Sequence, residues 1–396
     1  MNAPADKQQH SLLSHLQCPE CRQMLSAFTL QSVCTNPDCK STLVARYDLP
    51  EGLDKSIFTG RPANMWRYKE FLPVLDEKNI VSLGEGFTPI IPLQNMSLVA
   101  PDNEVLWKDE SGNPTGSFKA RGISAAVSKT KELGITAMAI PTAGNAGGAL
   151  AAYAARAGIQ AVVYMPRQTP QLFKDECHLY GAQLVEVDGS ISDCGRLVQE
   201  HAQREHWFQV STLKEPYRLE GKKTMGYEIA EQLNWQLPDV ILYPTGGGTG
   251  LIGIWKAFNE MQQLGWISAR RPRMVAVQSV SCNGIVQAFH SQAPVSEFVD
   301  GGFTIANGLR VPKPYADKLI LQVLYKSKGT ALSIPDSEMY GAVREIARHE
   351  GMLVDPEGAA LWQAFKQLKA SHWIKPGEKV LMTNTGSGYK YLENLM

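Results

Sequence analysis

The sequence predicts an α/β protein whose parallel sheet is covered by helices on both faces. Three observations carry that expectation. Short apolar segments alternate with helical ones from Trp66 onward. Those segments are apolar almost throughout, as a strand buried on both faces must be, where a half-exposed strand would alternate. Between them lie turns rich in Gly, Asn, Ser and Thr, at the strand ends where open parallel sheets bind ligands.

In chain order, EVLWK (104–108) reads as a strand, followed by the turn SGNPTGS and a helix from about Lys119 to Leu133. Residues 137–140 form the next strand, then a small-residue turn and an alanine-rich helix over 146–157. IQAVVYM (159–165), QLVEV (183–187), DVILY (239–243), MVAVQ (274–278) and KVLM (379–382) continue the series. No internal repeat or low-complexity linker interrupts it.

Ahead of this body, four of the seven cysteines fall within 39 residues: Cys18, Cys21, Cys34 and Cys39. The spacing is C-x2-C, twelve residues, then C-x4-C, with Pro19, Asn36 and Pro37 marking two tight knuckles. Two knuckles present four thiolates to one tetrahedral zinc ion, a closed and therefore structural site. The expected ribbon covers about residues 15–45. Cys177, Cys194 and Cys282 are isolated and read as buried thiols.

Composition excludes several classes. Apolar residues are 44% and charged residues 20%, and the 39 basic side chains balance the 39 acidic ones. No overall field exists to hold nucleic acid or an anionic membrane. The ribbon carries only Arg22, Lys40 and Phe28, too few for a stacking platform on single-stranded nucleic acid. The longest apolar stretch, 143–165, is broken by Asn145, Arg156 and Gln160, short of a membrane span. Met1 to Gln17 is polar and lacks the apolar core of a signal peptide, so a cytoplasmic location is expected. The eight histidines show no metal-ligand spacing. Trp235, Trp255 and Trp266 read as packing residues.

Four turns carry the chemistry. The first, Ser111 to Lys119, sets two glycines, a proline and three hydroxyls before one lysine at a helix start. There the helix dipole disfavours extra positive charge and eases proton loss, as Schiff-base chemistry requires. In the second, Thr142-Ala143-Gly144-Asn145, small residues and a helix N-terminus suit a substrate carboxylate, and Asn145 adds a donor and an acceptor. The third, Gly246-Gly247-Gly248-Thr249-Gly250, exposes backbone N–H groups as a phosphate cradle. A dinucleotide fold would end the next strand in an acid, but that strand ends in Gln278 and Ser279. The fourth, Thr383 to Gly388, offers hydroxyls to a polar ring atom.

One lysine, one phosphate cradle, one asparagine and one hydroxyl describe a site for pyridoxal phosphate. Lys119 would take the aldehyde carbon, residues 246–250 the phosphate, Asn145 the ring hydroxyl and Thr385 the ring nitrogen.

With these motifs the chain resembles the threonine synthase family, within the tryptophan-synthase-β-like, fold-type-II pyridoxal phosphate enzymes. The matching segments are SLGEGFTP (82–89), NPTGSFKARG (113–122), the Asn145 turn, PYRLEGKKT (216–224), the glycine loop and TGSGYK (385–390). The resemblance implies γ-elimination of phosphate from O-phospho-L-homoserine and hydration to L-threonine. It also implies Arg218 as a contact of the leaving phosphate, an amino-acid substrate, and a homodimer. Asp355 to Ala359 resembles a family turn near the site and also reads as a helix start. Three positions depart from the family pattern: Glu215, Phe87 and Ala120. A serine/threonine ammonia-lyase or a β-replacement synthase would use the same cofactor residues, and a non-catalytic metabolite-binding relative would keep the fold alone. The expected organisation is a ribbon segment over 1–50, a large cofactor domain over 51–110 and 213–396, and a smaller mobile domain over 111–212.

Overall fold

A computed structural model describes residues 10–395. Residues 1–9 of the polar leader read above lie outside the described residues. Three strands, β1 (Leu13–Gln17), β2 (Met24–Ser26) and β3 (Val44–Tyr47), form a small antiparallel sheet in the order β2-β1-β3. The body opens with β4 (Ile90–Pro92) and β5 (Glu104–Asp109), followed by α1 (Lys119–Glu132). Next come β6 (Ala137–Pro141), α2 (Asn145–Ala157), β7 (Gln160–Pro166), α3 (Gln171–Leu179), β8 (Gln183–Val187), α4 (Ile191–Glu205) and β9 (Phe208–Gln209). The chain continues through α5 (Tyr217–Gln232), β10 (Val240–Pro244), α6 (Thr249–Gln263), β11 (Arg273–Ser279), α7 (Gly284–His290), α8 (Asp317–Lys326) and β12 (Thr330–Ile334). It ends with α9 (Asp336–Glu350), α10 (Pro356–Ala370), β13 (Lys379–Asn384) and α11 (Leu392–Leu395).

Two sheets organise the body. The larger runs β12-β11-β10-β13-β5-β4 and is parallel except for β4, which pairs antiparallel with β5. The smaller runs β8-β7-β6-β9 and is parallel throughout. Strand β10 explains why both faces of the larger sheet are covered. Val240 and Leu242 join one core with Trp362 and Phe365 of α10, whereas Ile241 and Tyr243 join another with Met225 of α5 and Phe258 of α6. Period-two alternation therefore places apolar side chains on each face, and every residue of the strand is buried.

Each predicted strand appears, with no end shifted by more than two residues. Helix α2 begins at Asn145, so the asparagine is the first helical residue. Helix α10 begins at Pro356, and Asp355 caps it by accepting the Gly358 N–H at 2.6 Å. The three tryptophans pack: Trp235 and Trp266 meet edge to face at 5.6 Å, and Trp255 carries the Arg271 guanidinium at 4.0 Å. Cys177, Cys194 and Cys282 are buried, and burial pushes the Cys177 thiol up to about 12.

The ribbon docks on the body through polar contacts. Tyr315 donates its hydroxyl hydrogen to the Lys40 carbonyl, and Lys318 of α8 pairs with Glu20 at 2.5 Å. Beneath Tyr47 lies a buried quartet, with Lys223 and Lys256 paired to Glu220 and Glu260. The Lys223 ammonium sits 3.9 Å from the Tyr47 ring centre. No helix among the described residues is long and apolar enough to cross a membrane.

Candidate active site

Lys119 is the first residue of α1, and the turn before it is strained. Thr115 adopts φ 60°, a left-handed conformation unusual for a β-branched residue and typical of functional turns. That turn is held by the C-terminal one: Phe118 N–H donates to the Thr385 carbonyl at 2.9 Å, and Ser387 N–H to the Gly116 carbonyl at 2.9 Å. Lys119 and Thr385, far apart in sequence, are thereby neighbours.

The Lys119 amine lies 4.4 Å from the Phe118 ring centre, and Lys222 approaches the same ring at 4.5 Å. Among the described residues no hydrogen bond or ion pair holds the Lys119 amine. Burial among protein atoms, then the nearby Arg218 charge, lower its pKa to about 8, partly offset by Glu357 and Asp355. A lysine poised there is neutral in about a tenth of molecules at pH 7, against well under a thousandth for an ordinary lysine, and the neutral form is the one that attacks a carbonyl carbon.

The glycine loop follows β10. A Cβ at Gly246 would lie 2.1 Å from the Gly308 carbonyl oxygen, so only glycine lets the two loops close on each other. Gly248 combines φ 76° with Ile320 of α8 at 2.3 Å from a built Cβ, so it too excludes a side chain. Thr249 then opens α6, and its hydroxyl oxygen accepts from Lys222 Nζ at 2.8 Å. Gly250 stands above the Tyr243 hydroxyl.

Arg218 lies in the first turn of α5, with its side chain buried. Nη1 donates to the Val210 carbonyl at 2.8 Å and to Thr212 Oγ1 at 3.4 Å, and Nε has no partner. The Thr212 methyl lies 2.8 Å from where a Gly247 Cβ would stand, which puts Arg218 beside the cradle. Lys222 and Lys223, which follow on the same helix, are fully enclosed. Lys223 belongs to the quartet under Tyr47, while Lys222, one turn beyond Arg218, faces the glycine loop.

Asn145 reaches the site through a relay. Its Nδ2 donates to the Tyr391 hydroxyl at 3.4 Å, Tyr391 donates to Glu357 Oε1 at 3.3 Å, and that oxygen accepts the Gly308 N–H at 2.6 Å. Asn145 Oδ1 has no partner. Thr142 closes its own turn, its hydroxyl oxygen accepting the Gly144 N–H at 3.2 Å, and Gly144 faces open space. Among the described residues no side-chain hydrogen bond or ion pair joins Thr142, Ala143 or Gly144 to the cradle, Lys119 or Arg218, whereas Asn145 is tied to Tyr391. Thr385 donates its hydroxyl hydrogen to Asp355 Oδ2 at 3.2 Å. Burial and the neighbouring Glu357 push the Asp355 carboxyl well up.

Three residues outside the set of candidates read from the sequence border this centre: Lys222, Glu357 and Tyr391. The first had a signal, since it follows Arg218 by four residues and shares its helix face. Phe87 and Ala120 are occupied elsewhere. The Phe87 ring carries the Arg67 guanidinium at 4.5 Å, and Ala120 packs in the core.

The residues present fit pyridoxal phosphate. Unpartnered buried atoms, Thr115 Oγ1, Ser117 Oγ, Asn145 Oδ1 and Arg218 Nε, belong to the elements that surround a free amine. A native interior leaves few polar atoms unsatisfied, and a group of them beside a glycine cradle marks a ligand's place.

In the ribbon, the four cysteine sulfurs lie within 4.8 Å of one another, with Cys18 and Cys39 at 3.5 Å and Cys21 and Cys34 at 3.4 Å. A tetrahedral site with metal–sulfur bonds of about 2.3 Å needs sulfurs about 3.8 Å apart.

Comparison with known proteins agrees with this geometry. The family model for pyridoxal-phosphate dependent enzymes matches residues 81–386. Threonine synthase of Methanocaldococcus jannaschii is 35% identical over 357 residues, covering 89% of this chain and 88% of that protein. The Methanosarcina acetivorans threonine synthase is 33% identical, covering 94% and 91%. Among solved structures, diaminopropionate ammonia lyase from Escherichia coli superposes with a TM-score of 0.68 at 20% identity, covering 90% of this chain and 97% of that one. That last likeness speaks for the fold alone. By its matched length and its full-length relatives, the chain belongs to the pyridoxal-phosphate-dependent enzymes and, among them, to the threonine synthase family.

Proposed function

We propose that this protein is a threonine synthase, which eliminates phosphate from Cγ of O-phospho-L-homoserine and adds water at Cβ to yield L-threonine. Pyridoxal phosphate, when bound, supplies the electron sink that stabilises negative charge at Cα. The chain's own residues do the rest. Lys119 would hold the cofactor and, as a free amine, would take the Cα proton; its lowered pKa suits both roles. Asn145 would meet the ring hydroxyl, residues 246–250 would receive the cofactor phosphate, and Thr385 would serve the ring nitrogen. Thr142, Ala143 and Gly144, at the start of α2, receive the substrate carboxylate.

The observation that carries the choice among the family's reactions is the cationic wall beside Lys119. Arg218 and Lys222 are enclosed, close to the amine, and Arg218 Nε is unused. A leaving phosphate needs such a wall; loss of water or ammonia does not. The names of the full-length relatives support the same reading.

The smaller sheet, contained within 137–209, supports a mobile domain over 111–212 that closes on the substrate. Cys18, Cys21, Cys34 and Cys39 hold a structural zinc ion. A homodimer follows from the family resemblance.

The test is phosphate release from O-phospho-L-homoserine by cofactor-loaded enzyme, with products identified in the same tube. Stoichiometric phosphate and threonine are expected. A keto acid from serine or threonine, with no phosphate released, would move the enzyme to the ammonia-lyase branch.

A further inference from the structure

Glu215 stands two residues before α5, and its two oxygens have different fates. Oε2 accepts the backbone N–H groups of Tyr217 at 2.7 Å and Arg218 at 3.0 Å, capping the start of α5. Oε1 is buried with no partner. The side chain as a whole is inaccessible to solvent. A carboxylate oxygen left bare in the interior is costly unless it holds a proton or meets a ligand.

Its charged surroundings come from three elements. Arg218 and Lys222 lie on α5, which begins two residues after Glu215, the Tyr217 hydroxyl is near it, and Lys119 on α1 is close to both cations. Across the site, Glu357 and Asp355 face Lys119. Burial pushes the Glu215 carboxyl up, against the pull of Arg218 and Lys222. The same burial pushes Arg218 and Lys222 down.

Charge balance then decides what the pocket accepts. Arg218 contributes one positive charge and Lys222, when an anion beside it keeps it protonated, a second. A doubly charged oxyanion beside an ionised Glu215 would leave one negative charge uncompensated in an enclosed space, and like charges at close range oppose joint ionisation. With a proton on Oε1 the balance closes. The oxygen also becomes a donor, while Oε2 keeps both backbone N–H groups.

We propose that Glu215 is a proton-dependent selector of the substrate's leaving group: the pocket beside Arg218 admits a doubly charged oxyanion only together with one proton, held on Glu215 Oε1. This rests on the reading of that pocket as the leaving-phosphate site. It deepens that reading by defining the form bound, an oxyanion paired with a neutral carboxyl group. Above the carboxyl's pKa in the free enzyme, affinity for the dianion falls by up to tenfold per pH unit, because a proton must be taken up. Below that pKa the carboxyl is already neutral and affinity levels off.

Sulfate is the probe, since it stays doubly charged across the working range while phosphate titrates. Holoenzyme is titrated with sulfate by calorimetry at pH 8, in two buffers of different ionisation enthalpy, so that the difference in heat counts protons. About one proton taken up per sulfate is expected in the native enzyme, and none in Glu215→Gln, whose amide oxygen still caps α5 and whose affinity is flat with pH. Retained cofactor absorbance in the variant shows that the site is intact. Absence of uptake in the native enzyme at pH 8, with affinity flat up to pH 10, overturns the proposal whether or not the variant folds. So does equal uptake in the glutamine variant, or no sulfate binding at all. The outcomes separate from the functional reading. Phosphate release without a linked proton keeps the function and removes the selector. A linked proton without turnover of O-phospho-L-homoserine keeps the selector and points to another oxyanion leaving group.

Discussion

Arg121, two residues beyond Lys119, places its guanidinium against both carboxylate oxygens of Glu228 on α5, at 2.5 and 2.7 Å, with all atoms enclosed. Glu110 takes the other edge of the same guanidinium, and Lys108 from β5 pairs with Glu228 at 2.8 Å. Glu228 also accepts the N–H of Phe87 at 2.7 Å, which holds the loop before β4. The helix that carries the reactive lysine is thus fastened to α5, which carries Arg218, by a buried network and not by a surface contact.

Breaking that network should be severe. Glu228→Gln leaves Lys108 without its carboxylate in the interior, and the loss of one partner of a buried pair costs about 3–5 kcal/mol. Burial alone would raise the Glu228 pKa, but Arg121 and Lys108 outweigh it and hold the carboxyl down at about 2. Because the folded pKa lies below the ordinary value, the stabilisation is complete above about pH 4.5 and is lost as pH falls toward 2. Chemical denaturation at pH 7 and pH 3 measures both effects. The gap between native enzyme and variant should narrow at the lower pH, and an unchanged gap would remove Glu228 from the acid response.

Lys119→Ala should abolish turnover and the visible absorbance of lysine-bound cofactor. Borohydride treatment of the native holoenzyme should fix the cofactor to the peptide containing Lys119. With a pKa of about 8, the amine's capture of added pyridoxal phosphate should speed up as pH rises through 8. Removing the Arg218 charge lifts one cause of the depression, so that midpoint should move upward in Arg218→Ala. A midpoint that stays in place would separate the two side chains electrically.

What the sequence made legible follows from how local each signal is. The strands β5, β6, β7, β8, β10, β11 and β13 are continuous apolar runs, and Lys119, Asn145 and the glycine loop sit in turns whose composition is unusual on its own. Lys222 and Lys223 defeated that reading because helix α5 is buried nearly all round, so polar residues on it no longer mark a solvent face. Tyr391 and Glu357 join Asn145 through contacts across 246 and 34 positions, a pairing no local pattern encodes. Strand β12, TALSI, is short and mixed, and becomes a strand by pairing with β11 at the sheet edge. The four cysteines were legible because metal-ligand spacing is itself a local signal.

That ribbon should bind about one zinc ion per chain, measured by elemental analysis of protein purified without added metal. Cys34→Ser should lower the metal content and loosen β1, β2 and β3, seen as faster amide exchange over 13–47. The effect should reach the body through the Lys318–Glu20 pair, since Ile320 on the same α8 packs against Gly248 of the cradle. Metal content unchanged in Cys34→Ser would exclude that thiol from the site.

Arg218→Ala tests the anion wall itself. A charge-assisted hydrogen bond to a phosphate contributes about 1.5–3 kcal/mol, so KM for O-phospho-L-homoserine should rise about 10- to 100-fold. The side chain is held by the Val210 carbonyl and Thr212, and its loss leaves the glycine loop's own closure against Gly308 intact. Cofactor affinity, read from absorbance during titration of apoenzyme, should therefore change much less than KM. Equal loss of both would assign Arg218 to the cofactor phosphate, because it borders Gly247 through Thr212 on one side and Glu215 on the other. In that case the leaving phosphate must be met by Lys222, whose amine already reaches Thr249 and whose own alanine variant would then show the selective rise in KM.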